Sequence, residues 1–311
     1  MRQAFRVDTN ERQCNDDSSG DRLRGKLIFN CGEGHMCAER IRESVIAGSW
    51  YPDNPGALRN EIAGYLKRAR PHPGRENLIG LVAPHAGYMY SGEVAAHAYR
   101  QLEGSRFERV LIVAPSHRTR FPSSTIYHLG GFRTPLGVVP LDVDLVQAFL
   151  EHPQLRGYYP QAEDQEHSLE IQLPFLQVVL GEFKLVPIIM GNQTYEHCTE
   201  LAELIEKLCR NKNVLLIASS DLSHYHSYRE AKQLDGIVTA RVAAFDCQGL
   251  FRDLNDGACE ACGAGPMVAV MLAAGKLGAN VSRVLHYANS GDVTGERSGV
   301  VGYMAAAFYR E

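Results

Sequence analysis

Three apolar runs, each closing on a histidine, constrain this chain more than any other feature. Leu78-Ile79-Gly80-Leu81-Val82-Ala83-Pro84 leads to His85, and Val110-Leu111-Ile112-Val113-Ala114-Pro115-Ser116 leads to His117. Val214-Leu215-Leu216-Ile217-Ala218 leads to Asp221-Leu222-Ser223-His224. Runs of this kind, bounded by Pro, Gly and Ser, are the pattern of strands buried on both faces of a parallel-type sheet. Helix patterns alternate with them from residue 56 onward. The expected fold is therefore α/β: a single three-layer domain with a central mixed or mostly parallel sheet flanked by helices. Open sheets of this class bind ligands beyond the carboxyl ends of their strands. Imidazole delivered there by three strands, once with a carboxylate, predicts a metal-centred pocket.

Within that frame, helices are expected over Ala57 to Ala69, over Gly92 to Leu102 with Ser91 as N-cap, and from Asp142 to about Glu151. His167-Ser168-Leu169-Glu170 opens another, in which Pro174 should produce a kink or mark a second start. Further helices are expected at Thr194 to Cys209, from about Ser227 to Phe245, and at Gly263 to Leu277. Strands are expected at Lys184 to Met190, 282–287 and 298–308, with a hairpin-like excursion made by Thr125 to Tyr127 and Gly137 to Pro140. Residues 1–40 differ from the rest: Asp8 to Arg24 is dense in polar and charged residues, the composition of a disordered extension. The compact domain is expected over 41–311.

The function classes are narrowed by composition. A net charge of -4 and no Lys/Arg cluster give no footprint for nucleic acid or an anionic membrane. No apolar run approaches the ~20 residues of a membrane span, and Met1 to Arg24 has no apolar core of a signal peptide, so cytoplasmic localisation is expected. The eight cysteines then read as thiols. No G-x-G-x-x-G, Walker or G-x-S-x-G sequence occurs, which leaves nucleotide binding and serine hydrolysis without support.

Several residues carry candidate chemistry. Asp221, three positions before His224, can ligate the same metal, orient a ligand or act as a base. Two histidines and a carboxylate are the donor set of non-haem Fe(II) oxygenases, while zinc accepts nitrogen and oxygen equally. Cys262 lies in the small-residue turn Ala261-Cys262-Gly263-Ala264 at a helix start, where free N–H groups should lower its pKa and make it a soft ligand or reactive thiol. His167 and Glu170 form a candidate acid/base pair or substrate anchor, with a helix-capping role for His167 as the alternative. Tyr88, Tyr90 and Tyr225 are candidate pocket-lining aromatics, and Ser290 or Asp292 a candidate rim. Cys259 completes a C-x-x-C with Cys262, and Cys31, His35 and Cys37 lie close together near the start.

Taken in order, a set of short motifs closely resembles the Memo family, whose prokaryotic members are called AmmeMemoRadiSam system protein B. They are Ala47-Gly48-Ser49-Trp50-Tyr51-Pro52, Ala83-Pro84-His85-Ala86-Gly87-Tyr88, Pro115-Ser116-His117, His167-Ser168-Leu169-Glu170, Ser219-Ser220-Asp221-Leu222-Ser223-His224 and Ala261-Cys262-Gly263. The resemblance covers roughly residues 40–310. It implies the fold of class III extradiol dioxygenases of the LigB type. It implies metal binding at His85, His117 and Cys262, and pocket roles for Asp221 and His224, beside which His167 stands as a candidate catalytic residue. Non-haem iron (Fe2+) is the implied cofactor, with copper or zinc as substitutes; radical-SAM and AMMECR-type proteins are the implied partners. A cysteine where the dioxygenase template would have an all-His/carboxylate set is a departure, because a thiolate beside Fe(II) and O2 is liable to oxidise. Three functions follow as expectations: an extradiol-type oxygenase acting on an aromatic diol, a copper- or iron-binding redox protein without diol turnover, and a module whose pocket binds a peptide or small molecule.

Overall fold

A computed structural model describes residues 40–72 and 77–311, together with β1 (Asn30–Cys31) and β2 (His35–Met36), which pair antiparallel. The expected disordered extension and the side chains of Cys31, His35 and Cys37 lie outside the described residues. Arg40–Glu311 forms one compact unit. In chain order its elements are β3 (Arg40–Arg42), α1 (Pro55–Arg68), β4 (Leu78–Ala83), α2 (Tyr88–Tyr99), β5 (Arg109–Pro115), β6 (Ser124–Ile126), β7 (Gly130–Thr134) and β8 (Gly137–Pro140). Then come α3 (Val143–Leu150), β9 (Leu155–Arg156), α4 (Pro160–Glu163), α5 (Leu173–Leu180), β10 (Lys184–Met190), α6 (Tyr195–Cys209), β11 (Val214–Ser219) and β12 (His224–His226). The chain closes with α7 (Tyr228–Ala243), α8 (Cys247–Asn255), α9 (Ala264–Lys276), β13 (Val281–Asn289), α10 (Ser290–Thr294) and β14 (Val300–Tyr309).

The long apolar runs form the middle of a nine-stranded mixed sheet ordered β12-β14-β4-β11-β5-β10-β6-β9, with β13 on β14. β4, β11, β5 and β10 run parallel, so the ends of β4, β11 and β5 lie side by side on one edge. Their side chains are almost all buried, as expected of strands covered on both faces. Helices α1, α2 and α5 pack together on one side, and α6, α7, α8 and α9 on the other. Pro187 is tolerated inside β10 because its antiparallel neighbour β6 pairs only from Ile188 onward, so no ladder bond asks for the missing N–H. Among the described residues no helix is long and apolar enough to cross a membrane.

Some local expectations change. Ser91 does not cap α2, which starts earlier at Tyr88 with Gly87 at its cap; the Ser91 hydroxyl bonds the Ala86 carbonyl instead. Pro174 marks a second start: a 3-10 turn at Glu170–Gln172 hands over to α5, whose first turn accommodates the ring. The excursion after β5 is not one hairpin: β6 joins the main sheet beside β10, whereas Gly137–Pro140 forms the expected strand β8, pairs with β7 and, with β3 from the start of the domain, makes a second, three-stranded sheet. Asp246 caps a separate helix, α8, directly after α7.

Candidate metal centre

His85 leaves β4, His117 follows β5, and Cys262 sits in the turn before α9. One ligating atom from each lies within 4.8 Å of the other two. His85 Nε2 is 3.1 Å from Cys262 Sγ, and the His85 and His117 rings are 5.0 Å apart, edge to face. Cys262 reaches this position because Gly263 lets the turn press against the end of β11; a Cβ there would run into the Ser219 carbonyl. The Asp221 N–H points at the sulfur, at 3.3 Å.

The hydrogen bonds behind the cluster decide which ring nitrogens are free. Ser219 Oγ donates to the Ser168 carbonyl at 2.6 Å, so toward His85 Nδ1, 2.9 Å away, it can only accept. His85 therefore carries its proton on Nδ1 and turns the Nε2 lone pair to the cluster. His117 Nδ1 donates to Glu166 Oε1 at 2.9 Å, which leaves its Nε2 free in the same way. His224 Nδ1 donates to the Leu222 carbonyl at 2.8 Å. Such outer partners are what fixes the tautomer and ring orientation of metal-binding histidines.

Glu166 was not singled out by the sequence, where a carboxylate beside a histidine looks like any surface acid. In the fold it is buried and accepts from the His117 N–H (2.7 Å) and from the His167 and Ser168 N–H groups (3.0 Å each). Burial works to raise its pKa, but the hydrogen bonds from the His117 ring and from the backbone N–H groups of His117 and Ser168 outweigh it and hold the carboxyl at about 2. Glu166 also groups with His117 and His167 as a second set of donors close enough to share an ion.

His167, Asp221 and His224 line the same cavity as His85 and His117, a space of about 1090 Å³. The His167 ring stacks on His117 at 4.7 Å and meets the Trp50 ring at 4.3 Å, tilted by 49°. Burial lowers its pKa to about 4 against the pull of the nearby Glu166 carboxylate, so it is neutral at pH 7. Burial raises Asp221 to about 7 against the His85 N–H, which donates to its Oδ1 at 2.7 Å. His85 is held well below the ordinary histidine value by burial and by the neighbouring histidines.

Other expectations shift. Burial, with Asp221 adding to it, drives the Cys262 thiol up rather than down, because the helix end is outweighed by loss of water. Glu170 is no acid/base partner for His167. It is fully buried and accepts from Arg42 (2.8 Å), Tyr51 (2.7 Å), Ser44 (2.5 Å) and the Val45 N–H (3.0 Å). Arg42 also donates to the Glu163 and Glu166 carbonyls, so this network ties β3 to the segment carrying His167. Tyr88 is a core residue bonded to the Ile171 carbonyl, whereas Tyr90 and Tyr225 line the cavity. Ser290 reaches the cavity; Asp292 caps α10. Cys259 is buried as a free thiol in the apolar core. Trp50, quoted only as part of a motif, proves to be a wall of the cavity.

Most of the chain matches known proteins. Residues 42–307 match the Memo family, described as Memo-like protein. A MEMO1 family protein of Sulfolobus acidocaldarius is 38% identical over 284 residues, covering 86% of this chain and 99% of its own. Another, of Methanosarcina mazei, is 37% identical over 272 residues, covering 85% and 98%. A solved structure of an uncharacterized protein from Escherichia coli K12 superposes with a TM-score of 0.49 at 12% identity, covering 74% of this chain and 99% of its own.

Proposed function

The chain belongs to the Memo family, and on that premise we propose that it is a non-haem metal-dependent oxidoreductase related to extradiol dioxygenases. His85, His117 and Cys262 hold the metal in this reading, iron(II) first, with copper or zinc able to take its place. The substrate is an aromatic diol-like molecule, with O2 as co-substrate. The observation that carries the reading is the set of donors: two imidazoles with Nδ1 tied back by Ser219 and Glu166, and a sulfur, all facing one another at the edge of a large cavity. Nitrogen with sulfur suits iron, copper or zinc and disfavours magnesium or calcium.

A bound iron(II) supplies Lewis acidity and access to one-electron chemistry. The remaining work falls to side chains of the chain itself. His167, neutral at pH 7, can take a proton from a substrate hydroxyl. His224 offers Nε2 as an acceptor, because its Nδ1 proton is committed to Leu222. Asp221, with a pKa of about 7, can hold or release a proton near neutrality. The apolar rim of Met89, Tyr90 and Tyr225 suits a flat aromatic body.

Cys262 favours a second reading, a copper- or iron-binding redox protein without diol turnover, since thiolate ligation suits soft metals and invites oxidation. Elemental analysis of anaerobically purified protein, followed by O2 uptake with a panel of catechols, separates the two. Stoichiometric iron with diol-dependent uptake supports the oxygenase. Metal without uptake on any diol leaves the redox reading, and no metal after reconstitution overturns both.

A further inference from the structure

A second cavity, of about 1060 Å³, adjoins the cluster, and His117 is the one residue lining both spaces. Its character differs from that of the first. The aromatic-rimmed cavity includes Glu61, Asp221 and Glu296 in its walls; the second has Arg118 and Arg120 and no carboxylate. Among the described residues neither guanidinium has a carboxylate within ion-pair distance, and Arg118 Nε donates only to the Gln165 carbonyl at 3.2 Å. Several other arginines, among them Arg42, Arg68, Arg100, Arg109, Arg133 and Arg241, pair with acids; Arg118 and Arg120 instead share one acid-free cavity wall. Two unneutralised guanidiniums in one concave, acid-free wall raise the local positive potential, and the low-dielectric walls focus it.

The facing wall adds donors. Asn192 spends its side-chain oxygen on the Thr194 N–H at 3.1 Å, which leaves its NH2 as a donor. We propose that this cleft binds a small oxyanion-bearing molecule, with phosphate or carboxylate groups clamped by Arg118 and Arg120. Planar guanidinium groups meet either group with paired hydrogen bonds. The site is reached without passing through the aromatic-rimmed cavity and needs no metal. The cleft shares His117 and Cys262 with the metal cluster, but the clamp itself does not rest on the oxidoreductase reading.

The test uses metal-free, full-length protein at fixed ionic strength, titrated calorimetrically with inorganic phosphate, pyrophosphate and citrate, with sodium chloride as the control. Saturable binding of at least one oxyanion is expected, and Arg118→Gln/Arg120→Gln should weaken it by about tenfold or more, which is about 1.4 kcal/mol. Arg156→Gln, outside the cleft, should leave it unchanged. Binding of the phosphates alone assigns a phosphate-bearing ligand, and binding of citrate alone a polycarboxylate. No saturable binding beyond the chloride control, or equal affinity in the double variant, overturns the proposal. So does an Arg156→Gln loss as large as that of the double variant, since the effect would then be one of overall charge.

Discussion

Replacing Glu166 by Gln tests whether the cluster is built for a metal. The carboxylate takes the His117 Nδ1 proton at 2.9 Å and three backbone N–H groups at 2.7 to 3.0 Å. An amide of the same shape keeps one acceptor oxygen, loses the charge and turns an NH2 toward groups that are themselves donors. His117 then loses a charge-assisted hydrogen bond of about 1.5–3 kcal/mol, together with its fixed tautomer. Carried into metal binding, that is a loss of roughly 10–100-fold in affinity, the range usual for such outer partners. The chain offers its own reporter: Trp50, its single tryptophan, has its ring 4.3 Å from that of His167, which stacks on His117. Copper(II) or anaerobic iron(II) at the cluster should quench Trp50 emission, and the titration gives Kd. A folded Glu166→Gln protein binding within about twofold of wild type would refute the reasoning, because His117 would then not depend on the partner that orients it. Ser219→Ala removes the corresponding acceptor of His85 and should weaken binding in the same direction.

Cys262→Ala should cut metal content in the purified protein sharply; elemental analysis showing full occupancy would remove the sulfur from the donor set. Glu170→Gln leaves Arg42 buried without its counter-charge, so urea unfolding should show a loss of about 3–5 kcal/mol, and a loss under about 1 kcal/mol would mean the network is dispensable. A folded pKa of about 4 for His167, below the unfolded histidine value, means its neutral form contributes stability that is present above about pH 6.5 and drains away as pH falls toward 4. The stability difference between metal-free wild type and His167→Gln should therefore move against wild type over that window; a difference constant with pH would contradict it. At Gly302 an added Cβ would collide with the Asp235 carboxylate, which accepts from the Ser223 N–H at 3.0 Å. Gly302→Ala should lower Tm and shift the His224 ring signals in NMR spectra, and an unperturbed spectrum would show the loop to be more tolerant than this packing allows.

The strands that present the site were legible because they are the most buried. β4, β5 and β11 are apolar on both faces, and only their ends turn polar, so His85, His117 and Asp221 stand out. Cys262 was legible from the glycine beside it, which close approach to β11 demands. Its protonation was not, because the helix end is a local signal and the burial that overrides it is set by distant residues. Glu166 and Glu170 sit four positions apart, yet one orients His117 and the other anchors Arg42 and Tyr51. Nothing local separates two buried glutamates whose partners lie in other parts of the chain. Of the β3-β7-β8 sheet only β8 was legible; β3 and β7 escaped for a related reason: Arg40-Ile41-Arg42 has one apolar residue, and its strand state comes from pairing with Gly130–Phe132.

The order of the donors along the chain sets when the site can exist. During synthesis His85 and His117 emerge early, Glu166 later, and Cys262 only after α8 has been made. β14, which flanks β4 in the finished sheet, comes last of all. A nascent chain therefore offers a passing ion two unoriented imidazoles and no thiol, a weak trap from which metal escapes readily. On the proposed reading, full affinity would appear only when the ribosome has delivered nearly the whole domain, so metal loading would belong to the folded protein and draw on whatever ion is supplied at that point.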